Sequence, residues 1–440
     1  MTTRQMATSG TAHTTLKRFY DNNFQRLYTE WFELLDWLKG KGRIKNITPE
    51  GEKIYFGVEY LGTSSVGPRG EMVSLPTADV SKSVQGSVDY LKGFKGRMQI
   101  SAESLKFAKK GKGAFTSAMQ QETRAMIAAL KSEGAAALWG DGGGVLAKTT
   151  AQVSSSTAVV PVTSEISTGY FPGTRWLREA GRVDCWSESG GDFTADGSWT
   201  HTTDTDKIMA INSDNSFTVG TANDTAAAAD RYWSSKDGGI KDTGTGSNVF
   251  YGPQGMLAMV DDGTLAAAAS YCNILESTYH QWKGVVSDNA GTGRALTIDK
   301  FYRHYLKMAR KAGKMDTGLT CWTNPDLHLE VVDLLEHFVQ FKPRELKGGF
   351  NDADISVHGH DIKFKLDFMA PGAFMFLNPK SITVAEGVPI EVVDEDGRDM
   401  QRVANYDAFE MRWRWIINTY TTKRNDHGIL ADINYTVSSV

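Results

Sequence analysis

The residues that could do chemistry are few. His358-Gly359-His360-Asp361 holds the one closely spaced histidine pair in the chain. On a strand, positions i and i+2 share a face, so the two imidazoles could chelate a metal. No further ligands accompany them and the pair opens an ordinary strand pattern, so no metal is assigned. Asp192, Thr194, Asp196 and Gly197 imitate the start of a calcium loop. The bidentate glutamate that such a loop needs is replaced by Thr203, so the motif fails where it matters. Cys185, Cys272 and Cys321 lie far apart, with no CxxC or Cys/His cluster, which suggests neither zinc nor a disulfide framework. They read as small buried hydrophobes in a reduced protein.

The larger catalytic signatures are missing as well. There is no G-x-x-x-x-G-K-[ST] loop, no G-x-S-x-G elbow and no H-E-x-x-H helix. Gly140-Asp141-Gly142-Gly143-Gly144 follows a helix pattern rather than a strand, so it reads as a helix stop and loop, not a phosphate cradle. Arg412-Trp413-Arg414-Trp415 looks like a nucleic-acid patch, but at period two the tryptophans face one way and the arginines the other. A buried sheet face opposite a polar one is the better reading. No catalytic, cofactor-binding or metal residue is therefore assigned, and no enzyme activity is expected.

Composition narrows the class. The chain has 440 residues, 40% hydrophobic and 23% charged, enough to build real cores, and its length allows about three domains. With 48 basic against 52 acidic residues the net charge is −4, which argues against a dedicated nucleic-acid binder. No apolar run approaches the length of a membrane helix. Met1-Thr2-Thr3-Arg4-Gln5 leads into polar sequence, so no secretory signal is expected.

The elements that must position any function are unusual. Phe24, Leu27, Tyr28, Trp31, Leu34, Leu35 and Leu38 make a helical stripe over 21–38 too aromatic to stand alone. Residues 51–100 read as a long two-stranded arm with a turn-rich tip at 62–76. A hairpin alone is marginally stable, so this one is expected to lie on another surface. Between Lys82 and Lys112 stand eight basic and two acidic residues, a solvated face or a partner for an acidic neighbour. Ser117 to Leu138 is the clearest helix, with Ser117 and Gln120 at capping-box spacing. Residues 166–236 read as a small β-subdomain, with nine carboxylates and one basic residue, Lys207, from Asp184 to Asp230. This surface could bind calcium or glycans, although a solubilising role fits more simply. A mixed α/β region follows: a helix capped by Thr297, a second opened by Asn324-Pro325 and running to about Phe341, and strands at 362–368, 373–377 and 388–393. Phe409 to Asn418 alternates most cleanly of all, and 429–435 gives a last strand.

In this order the parts resemble the major capsid proteins of tailed bacteriophages, whose shell fold is shared with encapsulins. Ser101-Ala102-Glu103-Ser104-Leu105 resembles the I-S-x-E-x-L segment after the extended loop. Leu138-Trp139-Gly140-Asp141-Gly142 resembles the end of the spine helix, and Gly255 to Gly263 the G-L-x-x-x-x-D-D-G passage before the axial domain. Asn405-Tyr406-Asp407 resembles the return to the peripheral domain. The resemblance implies an α+β, tailed-phage major capsid fold in six parts. These are an N-terminal arm (1–50), an extended E-loop (51–100), a peripheral domain with its spine helix (101–165), an inserted acidic β-subdomain (166–240), an axial domain (241–395) and return strands of the peripheral domain (396–440).

It further implies self-assembly into hexamers and pentamers of an icosahedral virion shell, built in the host cytoplasm. Portal, scaffolding and decoration proteins would be partners, and packaged double-stranded DNA would lie inside without sequence-specific contacts. No cofactor and no membrane contact are implied. The N-terminal segment does not resemble a large cleaved scaffolding domain, so a scaffold would be a separate protein. Two alternatives stay open: an encapsulin-like compartment, and a Trp-rich carbohydrate-binding or carbohydrate-active protein.

Overall fold

The computed structural model describes residues 32–47, 53–68, 70–74, 77–89, 92–103, 112–149, 159–162, 173–179, 181–189, 192–195, 207–213, 215–219, 231–235, 251–263, 271–313, 318–336, 354–357, 360–394 and 400–435. In chain order these begin with α1 (Glu33–Gly40), β1 (Ile44–Asn46), β2 (Lys53–Leu61), β3 (Lys82–Asp89), β4 (Lys92–Ser101) and α2 (Lys112–Trp139). Short strands follow: β5 (Val145–Lys148), β6 (Val159–Pro161), β7 (Val183–Ser189), β8 (Asp192–Ala195), β9 (Ile208–Ser213), β10 (Ser216–Val219) and β11 (Arg231–Ser235). Next come α3 (Met256–Val260), β12 (Val285–Ser287), α4 (Ile298–Ala312), β13 (Thr320–Thr323) and α5 (Pro325–Glu336). The chain closes with β14 (Asp354–Val357), β15 (His360–Leu366), β16 (Phe374–Leu377), β17 (Ile382–Val392), β18 (Gln401–Arg402), β19 (Ala408–Thr421) and β20 (Gly428–Leu430). The fold is α+β.

The fourteen-residue β19 organises the first sheet. It pairs antiparallel with β4 from Ala408↔Ser101 to Ile417↔Lys92, and with β17 from Thr421↔Ile382 to Trp413↔Val392. Its period-two alternation explains this placement. Met411, Trp413 and Trp415 are buried towards α2, where Met98, Ile100 and Leu130 join them. Two glycines set how closely helix and sheet approach. A Cβ on Gly134 would stand 2.1 Å from the Trp415 ring, and one on Gly96 would stand 2.7 Å from Met126 Sδ.

A second, six-stranded sheet runs β12-β20-β16-β13-β15-β14 and mixes parallel pairs (β12 with β20, β13 with β15) with antiparallel ones. α4 covers it by inserting Phe301, Tyr305 and Met308 among Phe364, Phe374, Phe376 and Leu430. Phe301 meets the Phe374 ring edge-on at 5.0 Å, a geometry that aromatic quadrupoles favour.

Several sequence expectations change. α2 starts at Lys112, so Ser117 and Gln120 lie inside the helix and the capping-box spacing there is coincidental. Thr297 occupies the cap position of α4 but its side chain makes no cap bond. Asn324 does cap α5: Leu327 N–H donates to Asn324 Oδ1 at 2.8 Å, with Pro325 first in the helix. The expected end of that helix near Phe341 and most of the 21–38 stripe lie outside the described residues.

Strand pairing crosses two of the expected part boundaries. β17, expected within 241–395, pairs with β19, and β20, expected with the 396–440 return, lies between β12 and β16. β5 and β6, which precede residue 166, pair with strands of the acidic β region, in sheets ordered β5-β11-β7-β8 and β6-β10-β9. Its apolar residues, Cys185, Ile208, Phe217 and Trp233 among them, are continuous with the main core around Trp139 and Trp322.

Gly134→Ala tests the helix–sheet contact by sign. In an exposed helix, alanine would gain about 1 kcal/mol over glycine. Here the added methyl overpacks against Trp415, and a loss of about 1–3 kcal/mol is expected in thermal denaturation. A raised melting temperature would show that Trp415 does not lie on α2.

Candidate assembly surface and its anchors

A two-stranded arm forms over 53–89 rather than over the expected 51–100, because β4 leaves it to pair with β19, and its setting also differs from expectation. β2 and β3 pair from Lys53↔Asp89 to Leu61↔Lys82. The base of this hairpin rests on its own chain, not on empty space. Val88 is buried, Phe56 stacks on Tyr420 at 5.4 Å, Tyr60 meets Tyr279 edge-on at 5.0 Å, and Asn273 Nδ2 donates to Ser87 Oγ at 2.8 Å. Gly86 has no side chain because Phe56 lies where its Cβ would be, 2.7 Å away. Apolar contact and one close-packed glycine thus hold the base to the body.

The tip is the reverse. Val66 is 83% exposed, Val80 76% and Val73 55%, and Met72 is fully exposed with a left-handed backbone at φ 63°. Local polar contacts shape the approach to it. The Ser64 hydroxyl and N–H donate to Asp79 Oδ2, Val80 N–H donates to Asp79 Oδ1, and Thr63 Oγ1 donates to the Asp79 carbonyl at 2.9 Å. The Ser64 hydroxyl, then its N–H, the Val80 N–H and the Lys82 charge outweigh burial and hold the Asp79 carboxyl below the usual carboxylate range.

On β19 and β4 the faces separate as the alternation predicts: tryptophans inward, Arg412 and Arg414 outward. Arg412 stands directly opposite Arg97, and Arg414 opposite Lys95, a like-charge pairing that would repel unaided. Glu410 lies buried among them, bonded to Arg412 and Gln99, and Glu391 pairs with Arg414. Burial pushes the Glu410 carboxyl up, but the bonds from Arg412 and Gln99 and the Arg412 and Arg97 charges prevail and hold it low. The basic run after Lys82 is therefore answered here partly within the same chain.

Three buried polar groups tie distant segments together. Asp367 Oδ2 accepts from Leu34 N–H at 3.1 Å and from Trp139 Nε1 at 3.2 Å, joining α1, the end of α2 and the strand region after β15. Arg424, fully buried, donates to the carbonyls of Ala258 and Met259 in α3, pairs with Glu276 and lies over the Tyr271 ring at 4.9 Å. Burial lowers its guanidinium to about 10, still charged at neutral pH. His427 Nδ1 accepts from Asn378 N–H at 3.2 Å, so the proton sits on Nε2, facing Ser381 and Thr421.

The residues singled out for chemistry do not converge. His360 opens β15, while His358 lies outside the described residues. Asp192 and Thr194 lie on β8, while Asp196, Gly197 and Thr203 lie outside them. Cys185, Cys272 and Cys321 are buried thiols. Among the described residues no three His, Cys, Asp or Glu side chains gather to hold a metal, and no helix is long and apolar enough to cross a membrane. Sequence reasoning missed Asp367, Arg424 and His427. The polar run Lys423 to His427 between two apolar strands was the available signal for two of them.

Neither a family model nor a curated protein sequence matches the chain. Solved structures do. The capsid asymmetric unit of cyanophage A-1(L) matches with a TM-score of 0.55 at 14% identity, over 97% of this chain and 99% of that one. This chain has a phage capsid fold. The native GTA particle capsid (TM-score 0.46, 9% identity, 98% and 99% covered) and the capsid of Myoviridae phage XM1 (0.43, 8%, 94% and 97%) also match, at scores on which no argument rests. Among the described residues, the hairpin tip groups four of the exposed large hydrophobics, Val66, Met72, Val73 and Val80, that the chain's own body leaves uncovered.

The buried histidines make a pH prediction. Burial, with Lys307 and Arg294 near His304 and Arg424 and Lys423 near His427, pushes both imidazoles down to about 3. In the unfolded chain both would titrate near about 6.5, so below that pH the unfolded state binds more protons and stability falls. The unfolded imidazole is only half protonated at its own pKa, so each histidine costs about 1 kcal/mol between about pH 6.5 and 5.5, about 2 kcal/mol for the pair, and the slope steepens towards about 1.4 kcal/mol per histidine per pH unit below that. The buried Asp141 and Asp367 carboxyls are raised by burial and act in the opposite sense. Their contribution rises as pH falls from the raised folded value towards the unfolded carboxylate value, so it offsets rather than adds to the histidine loss. Urea denaturation midpoints across that unit of pH check the slope, and a flat profile would contradict the buried placement.

Proposed function

We propose that this chain is the major subunit of an icosahedral head shell of a tailed bacteriophage, assembling with copies of itself into hexamers and pentamers around double-stranded DNA. The capsid fold over nearly the full length supports this reading. The observation that carries it is the exposed apolar tip of a hairpin whose base is held fixed. Soluble monomers seldom present grouped apolar side chains without a partner for them. A second copy, meeting each tip in turn, gives every subunit the same contact and closes into a shell.

In this reading the β19–β4–α2 unit is the peripheral domain and the α4-covered sheet the axial domain. The β region from about 145 to 235 is an elaboration packed onto them. Portal, scaffolding and decoration proteins belong to the same proposal, as do virion localisation, assembly in the host cytoplasm and a role without catalysis. A carbohydrate-binding role fits poorly, because the described tryptophans are buried or half-buried and offer no exposed platform.

Negative-stain microscopy of the expressed full chain, with and without a co-expressed scaffold, tests the proposal. Closed shells, sheets or capsomers are expected, and DNA within particles from infected cells separates a phage head from a cargo compartment. A monomer at every concentration would overturn it. The double variant Val66→Ser with Val73→Ser should keep the monomer's unfolding free energy within about 0.5 kcal/mol, as surface changes do, while particle yield falls. Met126→Asp, which places a charge between α2 and the sheet, should instead abolish soluble protein.

A further inference from the structure

Beside the helix α4 lies a cleft of about 400 Å³ lined by Asp262, Lys283, Lys307, Arg310 and Lys311, with Val285 and Val286 between them. Four cations thus face one carboxylate. Two of them are held in place by backbone: Lys307 Nζ donates to the Val286 carbonyl, and Lys311 Nζ to the Gly284 carbonyl at 3.0 Å. An ammonium has three donors, so each anchored lysine keeps others for an incoming oxygen. The floor is tight backbone, since a Cβ on Gly284 would stand 2.1 Å from the Val260 carbonyl oxygen. Aligned donors around a concave, partly desolvated space match a compact, multiply charged oxyanion better than a flat surface would.

We propose that this cleft is a phosphate-binding site, taking either a nucleic-acid backbone phosphate or a free phosphate species. The assignment stands on the charge geometry and does not require the shell reading. Burial, with Lys283 and Lys307 nearby and Asp262 opposing them, lowers Lys311 to about 8. Arg310 shares the lining, and in the neighbouring turn Arg424 and Asp426 are paired with Glu276 and Lys423. An anion in the cleft would favour the charged lysine, so affinity should fall as pH rises through that value.

The test is calorimetric titration of the full chain with pyrophosphate at low salt, followed by competition with a short DNA duplex. Saturable binding is expected, weakened about tenfold in each of Lys283→Gln and Arg310→Gln, the loss for one charge-assisted contact. Both variants should melt with the parent, because Arg310 is exposed and Lys283 only half-buried. Affinity should also drop between about pH 7 and pH 9. Displacement of pyrophosphate by duplex identifies the source as nucleic acid, and failure to displace identifies free phosphate; either supports the site. No binding, or binding unchanged in both variants, overturns it. A peptide copying residues 184–196 that displaces pyrophosphate at lower concentration than the duplex would also overturn it, making the occupant carboxylates of another copy.

Discussion

The pairing of β19 with β4 and β17 is the constraint on which the rest depends. β19 begins more than 300 residues after β4 ends, so the sheet under α2 cannot form until nearly the whole chain is available. Contacts of such separation cost loop-closure entropy before they return any packing free energy. The sequence answers that cost by making the strand unambiguous. Met411, Trp413 and Trp415 bury on one face only, and a slip of one residue would turn them to water and bring the arginines inside. The two glycines at 96 and 134 then let helix and sheet meet closely enough for the rings to fill the gap.

Beyond β19 the chain enters the turn that carries Arg424 and His427, and these groups extend the same constraint into the second sheet. Arg424 accepts no substitute easily, because its guanidinium uses both α3 carbonyls and Glu276 at once, and losing one partner strands a buried charge. Asp367 does the same for the N-terminal helix and Trp139. Hydrophobic contact makes the cores, but these few polar ties decide which segments share them. The β5–β11 region shares the main core rather than forming a separate one, and it starts at β5, directly after the helix whose Trp139 bonds Asp367.

Local patterns were legible from sequence and pairing partners were not. The alternation from Phe409 to Asn418, the α2 stripe and the Asn324-Pro325 helix start are all decided within a few residues, and the structure keeps them. The apparent cap at Ser117 failed because a two-residue coincidence carries little information inside a strong helix pattern. The sheet partners of β5, β6, β17 and β20 were not legible for another reason: these are short or ordinary strands whose sheet is chosen by distant partners. The capsid fold class was legible because the order of elements is a property of the whole chain. The buried ties were not, since a lone Asp or Arg between apolar residues reads the same whether it faces water or a distant carbonyl.

The hairpin shows why a fixed base and a free tip belong together. A wholly unsupported arm would lose the backbone freedom of every residue on meeting a neighbour, at about 1–2 kcal/mol per residue. With Val88, Phe56 and Tyr60 already docked on the body, that ordering is in place before association, and the tip's apolar area remains to be buried. At about 25 cal/mol per Å², a few exposed valines and a methionine yield several kcal/mol per contact, a modest amount for two isolated molecules. In the proposed shell, where each subunit would give a tip and receive one around closed rings, such modest contacts would add up, and their individual weakness would let misplaced subunits leave. In that reading the self-supporting base favours assembly by preformed subunits over a chain that folds only on its neighbours.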